Sequence, residues 1–234
     1  MGYVPLFFDV TAQPCVVIGG DDLAERRVRT LLEAAAVVTV ISAALTAGLT
    51  ELAASRQIRH RNRPFASGDL RGFVLGWCYD ADLGVARAAA AEARALKVPL
   101  NVADRPALCS FIAPAVVKRG ALQIAISTGG ASPALAKILR EELDQRLGPE
   151  YARLLTILAQ TRELLREREP DSHRRARLAR VLATELRAAI TRGDDPGLDN
   201  VLMRHLGVTI ASLGLEPPLL DPLRQQTASV PGVK

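Results

Sequence analysis

Apolar positions recur along this chain with two different periods. Short apolar runs at residues 16–18, 37–41 and 73–79 have the length and composition of buried strands. Between them, apolar residues fall three or four apart. Leu23, Val28, Leu31 and Leu32 mark one face of a helix over 22–34, and an alanine-rich helix is expected over 82–96. Residues 45–55 predict a further short helix. Residues 58–61 predict an edge strand, because their neighbours are basic, and 99–102 a last short strand. Strands alternating with helices give an α/β fold class, with a doubly wound parallel sheet over residues 14–102.

The pattern changes near Ser110. Residues 115–118 and 122–127 read as two short strands joined at Arg119-Gly120, a hairpin. Ser132 suits a helix N-cap and Pro133 the first helical position, so a helix is expected to about Leu147, stopped by Gly148. A lone hairpin is marginal by itself, which predicts that residues 113–147 pair with a second copy of the chain. Beyond Pro149 two apolar stripes follow, Tyr151, Leu154, Leu155, Leu158 and Leu165, then Leu178, Val181, Leu182, Leu186 and Ile190. They predict a small helical bundle whose arginine-rich outer faces are interspersed with acids. Residues from Gly207 on are proline-rich with little periodicity and read as a loop or a loose tail. The expected divisions are 1–112, 113–148, 149–206 and 207–234.

Composition narrows the classes. At 234 residues and 49% hydrophobic, the chain can bury a real core, and with aromatics at 4% that core is aliphatic. No run of about 18 apolar residues occurs, so no membrane span is expected, and the N-terminus has no signal-peptide pattern. Cys15, Cys78 and Cys109 are odd in number and far apart, as in a protein of the reducing cytoplasm. His60, His173 and His205 have no metal-ligand spacing, so no metal site is expected. A net charge of +5 favours an anionic partner, but no basic run with interleaved aromatics suggests nucleic acid.

Candidate chemistry begins where the first strand ends. Cys15-Val16-Val17-Ile18-Gly19-Gly20-Asp21-Asp22-Leu23-Ala24 is a strand, a glycine turn and a helix start, an arrangement that aims backbone N–H groups at a phosphate. Against the dinucleotide fingerprint Gly-x-Gly-x-x-Gly/Ala, Gly19 and Ala24 fit, whereas Asp21 stands where a glycine lets backbone approach the pyrophosphate.

Four motifs then follow in order: Gly19-Gly20 with Ala24-Glu25-Arg26-Arg27, Asn101-Val102-Ala103-Asp104, Ser110-Phe111-Ile112-Ala113-Pro114, and Ser127-x-Gly129-Gly130-x-Ser132-Pro133. In this order and spacing they resemble the precorrin-2 dehydrogenase/sirohydrochlorin ferrochelatase family, which includes the N-terminal part of siroheme synthases. The likeness covers about residues 3–147 well and the following helices loosely. It implies a homodimer with a Rossmann-like NAD-binding domain, a dimerisation segment and a helical domain. It also implies NAD-dependent oxidation of precorrin-2 to sirohydrochlorin, in many members followed by ferrous iron insertion to siroheme. NAD is then expected against Gly19, Gly20, Asp21, Asp22, Leu23, Ala43 and Ala44. The catalytic position of the family falls on Asp104. The tetrapyrrole substrate is expected at Asn101, Ser127, Thr128, Gly129, Gly130 and Lys137.

From the residues alone, Asp104 has two readings. It follows a strand at the end where ligands of open α/β sheets bind, placed to take a proton; before Arg105-Pro106 it equally suits an Asx turn. Residues 127–132 read either as a capped strand-to-helix loop or as an anion site at a helix N-terminus near Lys137 and Arg140. Two residues depart from the family pattern. Asp21 opposes pyrophosphate unless it rotates away or meets Arg26 or Arg27, and Trp77-Cys78-Tyr79-Asp80 puts a large tyrosine where the family usually has a threonine beside the nicotinamide. The alternatives are therefore a chelatase or tetrapyrrole-binding member with a degraded NAD site, or a non-enzymatic nucleotide-sensing dimer.

Overall fold

Five strands pair side by side in the first part of the chain: β1 (Pro14–Ile18), β2 (Val37–Ile41), β3 (Arg59–Arg61, a basic edge), β4 (Leu75–Cys78) and β5 (Leu100–Val102). The computed structural model describes residues 2–215 and divides into two units, the first ending at Ala113, the second beginning at Pro114. All five strands are parallel, in the order β3-β2-β1-β4-β5. The strand order therefore reverses between β1 and β4, and the crevice at their C-terminal ends is the place where ligands of such sheets bind.

Parallel strands need crossovers, and these are α1 (Asp22–Glu33), α2 (Ala47–Ala54) and α3 (Leu83–Leu96). One core gathers Val17, Val38, Val40 and Trp77 under Ala24, Val28 and Leu31 of α1 and Leu49 and Leu52 of α2. The other gathers Val16, Ile18, Ile41 and Cys78 under the alanine face of α3, Ala86, Ala89, Ala90 and Ala93. Small alanines bring α3 close to the sheet, which is how a chain so poor in aromatics stays well packed. The doubly wound sheet and its elements follow the hydrophobic pattern, with ends shifted by a residue or two.

One buried ionic cluster closes this unit. Asp69 lies in the connection from β3 to β4, with a side chain 6% exposed. It accepts hydrogen bonds from Arg61 at 2.7 Å, from Arg63 at 2.7 and 2.6 Å, and from the Ala66 N–H at 2.8 Å. Arg63 foremost holds its carboxyl below the ordinary 3.8. A carboxyl whose pKa is depressed by folding stabilises the fold above its unfolded pKa, and the gain is lost as pH falls through the folded value. Asp69→Asn is thus expected to lower unfolding free energy by about 1–2 kcal/mol near neutral pH, the range for charged hydrogen bonds with half-exposed guanidiniums. In urea titrations this deficit should shrink as the pH is taken below 3.8; a deficit that persists unchanged in acid would assign the stability to packing instead.

In the second unit, β6 (Ala115–Arg119) and β7 (Leu122–Ile126) form an antiparallel hairpin that turns at Gly120, whose φ of +57° is left-handed. Helix α4 (Pro133–Arg146) packs on the hairpin, capped by Ser132, whose Oγ accepts the Leu135 N–H at 3.2 Å. Helices α5 (Glu150–Arg168), α6 (Ser172–Thr191) and α7 (Asp195–Leu206) share a core of Leu154, Ile157, Leu182, Leu186, Leu198 and Leu202. Of the two readings for the chain after Gly207, the described residues form a packed loop rather than a loose tail. Ile210 is buried in that core and Val208, Leu213 and Leu215 pack on it, because Asp199 accepts the Ile210 N–H at 2.7 Å. The rest of the expected tail, 216–234, lies outside the described residues. No helix among the described residues is long and apolar enough to cross a membrane.

Candidate functional site

The glycine turn is shaped by its own neighbours. Gly19 has φ +115°, and a Cβ there would lie 3.1 Å from the Tyr79 Cβ. A Cβ on Gly20 would lie 2.0 Å from the Ala44 carbonyl oxygen and 2.9 Å from Ser42 Oγ. Both positions need glycine because the chain after β2 and the chain after β4 close on the turn. The Thr46 N–H donates to the Gly20 carbonyl at 3.0 Å, and Ser42 Oγ donates to the Ala44 carbonyl at 2.7 Å. This brings the expected cofactor residues Gly19, Gly20, Asp21, Asp22 and Leu23 together with the exposed Ala43 and Ala44. Glu25 of α1 accepts from the Thr46 hydroxyl and from Arg29 and so ties the turn to α2; these bonds hold its carboxyl below the ordinary carboxylate range.

Asp21 neither faces a cation nor stands loose. It is the N-cap of α1, and its Oδ1 accepts the Ala24 N–H at 2.8 Å. Among the described residues no acceptor meets the N–H groups of Asp22 and Leu23, and no basic side chain pairs with Asp21. The expected alternative pairing with Arg27 is not made. Arg27 Nε donates to the Tyr79 hydroxyl at 3.3 Å, and its guanidinium lies over the Trp77 ring, 4.9 Å from the centroid. The cradle therefore fits a pyrophosphate by its backbone: a glycine turn, two free N–H groups and a positive helix end. The Asp21 charge opposes an anion there, with the exposed Asp22 beside it in the first turn of α1.

Tyr79 and Ala103 continue the strand ladders past β4 and β5, with Tyr79 N–H to Ile18 carbonyl at 2.8 Å and Ala103 N–H to Cys78 carbonyl at 2.9 Å. Gly19, Tyr79 and Ala103 are thus neighbours across the C-terminal edge, and Asp104 comes next. Asp104 is exposed and left-handed, φ +57°, a conformation aspartate tolerates better than most residues. The Asx turn is not made; among the described residues no donor meets the Asp104 carboxylate. The neighbouring Arg105 fixes the segment by donating to the Ala81 carbonyl at 2.8 Å.

The free edge of β5 is closed by the motif that follows it. Ser110 Oγ accepts the Leu100 N–H at 2.7 Å, Cys109 Sγ accepts the Val102 N–H at 3.1 Å, and the Ser110 N–H reaches the Leu100 carbonyl at 2.9 Å. Side chains here replace a sixth strand. Asn101, expected at the substrate, spends its amide N–H on the Phe111 carbonyl at 3.0 Å, which holds the same segment. Burial pushes the Cys78 thiol up, and the Cys15 thiol up to about 11, so neither is a ready nucleophile.

The expected residues Ser127, Thr128, Gly129, Gly130 and Lys137 belong to the second unit. Thr128 Oγ1 donates to the Ser132 carbonyl at 3.0 Å and accepts the Ser132 N–H at 3.1 Å, while Ser127 Oγ accepts the Gly129 N–H at 3.0 Å. Gly129 and Gly130 are both left-handed, at φ +64° and +87°, with open space around them, and Lys137 is exposed one turn into α4. Both hydroxyls are thus occupied in shaping the loop, while among the described residues the Gly130 N–H meets no acceptor and Lys137 is exposed.

Comparison with known proteins bears on these motifs directly. Residues 6–115 match the family described as "Putative NAD(P)-binding", and residues 119–146 match the sirohaem biosynthesis protein central family. Over 175 residues the chain is 39% identical to a siroheme synthase of Methylococcus capsulatus, covering 75% of this chain and 37% of that protein. The chain belongs to the precorrin-2 dehydrogenase/sirohydrochlorin ferrochelatase family. A siroheme synthase of Nitrosomonas eutropha is 31% identical over 221 residues, which is 94% of this chain and 46% of the relative. The chain spans less than half the length of these curated relatives. Among solved structures, "SirC, precorrin-2 dehydrogenase" superposes with a TM-score of 0.71 at 24% identity, over 88% of this chain and all of that one, which establishes the shared fold.

Proposed function

We propose that the chain catalyses NAD-dependent oxidation of precorrin-2 to sirohydrochlorin, in siroheme-type tetrapyrrole synthesis. The observation that carries this reading is the unpartnered Asp104 carboxylate, placed across three adjacent strand ends from a glycine turn with two free N–H groups. The Asp22 and Leu23 N–H groups would hold the pyrophosphate of NAD, and Ala43 and Ala44 leave room for its ribose. NAD supplies the hydride acceptor. Asp104 takes the proton that the macrocycle loses with the hydride, so that one hydride and one proton leave together. The same carboxylate can receive pyrrole N–H protons when ferrous iron, as substrate, enters the product.

The resemblance and the charge of the substrate support a role for Gly129, Gly130 and Lys137 in holding the macrocycle's carboxylates; the resemblance alone supports a substrate role for Asn101, whose amide orders the β5 edge. A homodimer joined through residues 113–148 accounts for the apolar surface of that segment, where Val116, Leu135, Ile138 and Leu139 are all exposed. Sedimentation should give a dimer at micromolar concentration, and a stable monomer would remove this part. The free cysteines accord with a cytoplasmic setting.

The Asp21 carboxylate favours one second reading, a member that keeps the tetrapyrrole site and inserts metal or carries the macrocycle with little use of NAD. Titrating the purified protein with NAD and separately with sirohydrochlorin separates the two. Binding of both supports the dehydrogenase, and binding of the macrocycle alone supports the second reading. If neither binds, both readings fall.

A further inference from the structure

Tyr79 sits where a dinucleotide lying across this sheet would have to pass. It directly follows β4, between the glycine turn of β1 and Ala103 at the end of β5. Its Cβ stands 3.1 Å from where a Gly19 Cβ would be. A tyrosine at that point has a few staggered positions. One lays the ring along α1. Others would lay it over the strand ends, in the crevice itself.

The ring lies along α1, and one residue accounts for the choice. Arg27, in the second turn of α1, donates Nε–H to the Tyr79 hydroxyl at 3.3 Å. Arg27 is itself fixed from below. Its guanidinium lies over the Trp77 ring, and Trp77, 5% exposed, meets Phe111 edge to face at 5.4 Å and 89°. Among the described residues no carboxylate pairs with Arg27, so the indole face and the phenol oxygen are its anchors. Removing the guanidinium would leave a half-buried hydroxyl with no donor, and the ring would regain a hydrogen bond by swinging out to water over the strand ends.

We propose that Arg27 is a positioning residue that holds Tyr79 against α1 and so keeps the dinucleotide crevice open. This rests on the nucleotide-binding reading above. It explains how a large residue is accommodated at a strand end where the family resemblance leads one to expect a threonine. The cluster also converts an obstacle into part of the wall: the tyrosine ring covers the core between α1 and β4 rather than the ligand space.

The test is the affinity for NADH, followed by energy transfer from Trp77, the sole tryptophan of the chain. Midpoints are compared, since amplitudes change when the guanidinium leaves the indole, and thermal melts establish that each variant is folded. Arg27→Met is expected to weaken NADH about tenfold or more, the size of losing a hydrogen bond to a charged donor. In a Tyr79→Ala background the same Arg27→Met change should have no further effect, because no ring remains to swing. Equal weakening in both backgrounds, or none in either, would overturn the positioning role while leaving the nucleotide reading standing. A wild-type protein that does not bind NADH would instead overturn the nucleotide reading, and this proposal with it.

Discussion

Asp104→Ala is expected to leave the protein folded while turnover of the macrocycle falls by about two to four orders of magnitude, the contribution of a positioned general base. The fold should survive because the carboxylate supports nothing: it is exposed and meets no donor among the described residues. What Asp104 contributes structurally is tolerance of φ +57°, and alanine there costs about 1–2 kcal/mol. Asp104→Asn separates the two effects. Asparagine keeps the left-handed backbone and the shape of the side chain but cannot accept the proton, so it should be as inactive as alanine and as stable as wild type. Thermal melts and initial rates of oxidation and of iron insertion check this. Wild-type rates in both reactions for either variant would remove Asp104 from the mechanism.

Asp21→Gly is expected to raise affinity for NAD by about one to two decades. Two unit charges about 4 Å apart at an effective dielectric of about 20 repel by about 4 kcal/mol, and solvent at this exposed position reduces that figure. Glycine also releases the Ala24 N–H, now held by the Asp21 carboxylate at 2.8 Å, to the phosphate. Its cost to the helix is small, since glycine is nearly as good an N-cap, by a few tenths of a kcal/mol. Asp21→Asn keeps the cap and removes the charge, so it should recover the electrostatic part of the gain alone. That part should shrink as salt is added, because exposed charges are screened. Calorimetric titration of the three proteins at low and high salt measures both. If all three bind NAD equally well, the carboxylate does not face the pyrophosphate.

The backbone of the site was legible in the sequence because its signals are local. Hydrophobic periods set the strands and crossovers, the β-branched run before Gly19 set the turn, and Ser132-Pro133 set the start of α4. What is not legible is of two kinds, a local cap that the fingerprint obscures and contacts with partners far along the chain. Arg26 and Arg27 are the obvious partners for Asp21 in the sequence, but the contact that decides is the Ala24 N–H three residues on, as in any capped helix. An aspartate directly before Asp-Leu-Ala-Glu carries that signal, and the fingerprint drew attention away from it. The resting place of Tyr79 rests on Arg27, 52 residues earlier, and no local pattern announces it. Cys109 and Ser110 closing the β5 edge could have been suspected, since an edge strand of three residues needs partners for its outer N–H groups. The packing of residues 208–215 is not legible locally because it depends on one distant aspartate, Asp199, whose carboxylate accepts the Ile210 N–H.

On the proposed reading this chain moves a hydride from precorrin-2 to NAD, with Asp104 taking the proton. The most direct measurement gives the purified wild-type protein precorrin-2 and NAD, without iron, and follows NADH and sirohydrochlorin together. The two should appear in equal amounts, neither should appear when NAD is withheld, and Asp104→Asn should abolish both. Sirohydrochlorin formed at the same rate without NAD, or no product while NAD and the macrocycle are both bound, would contradict that reading.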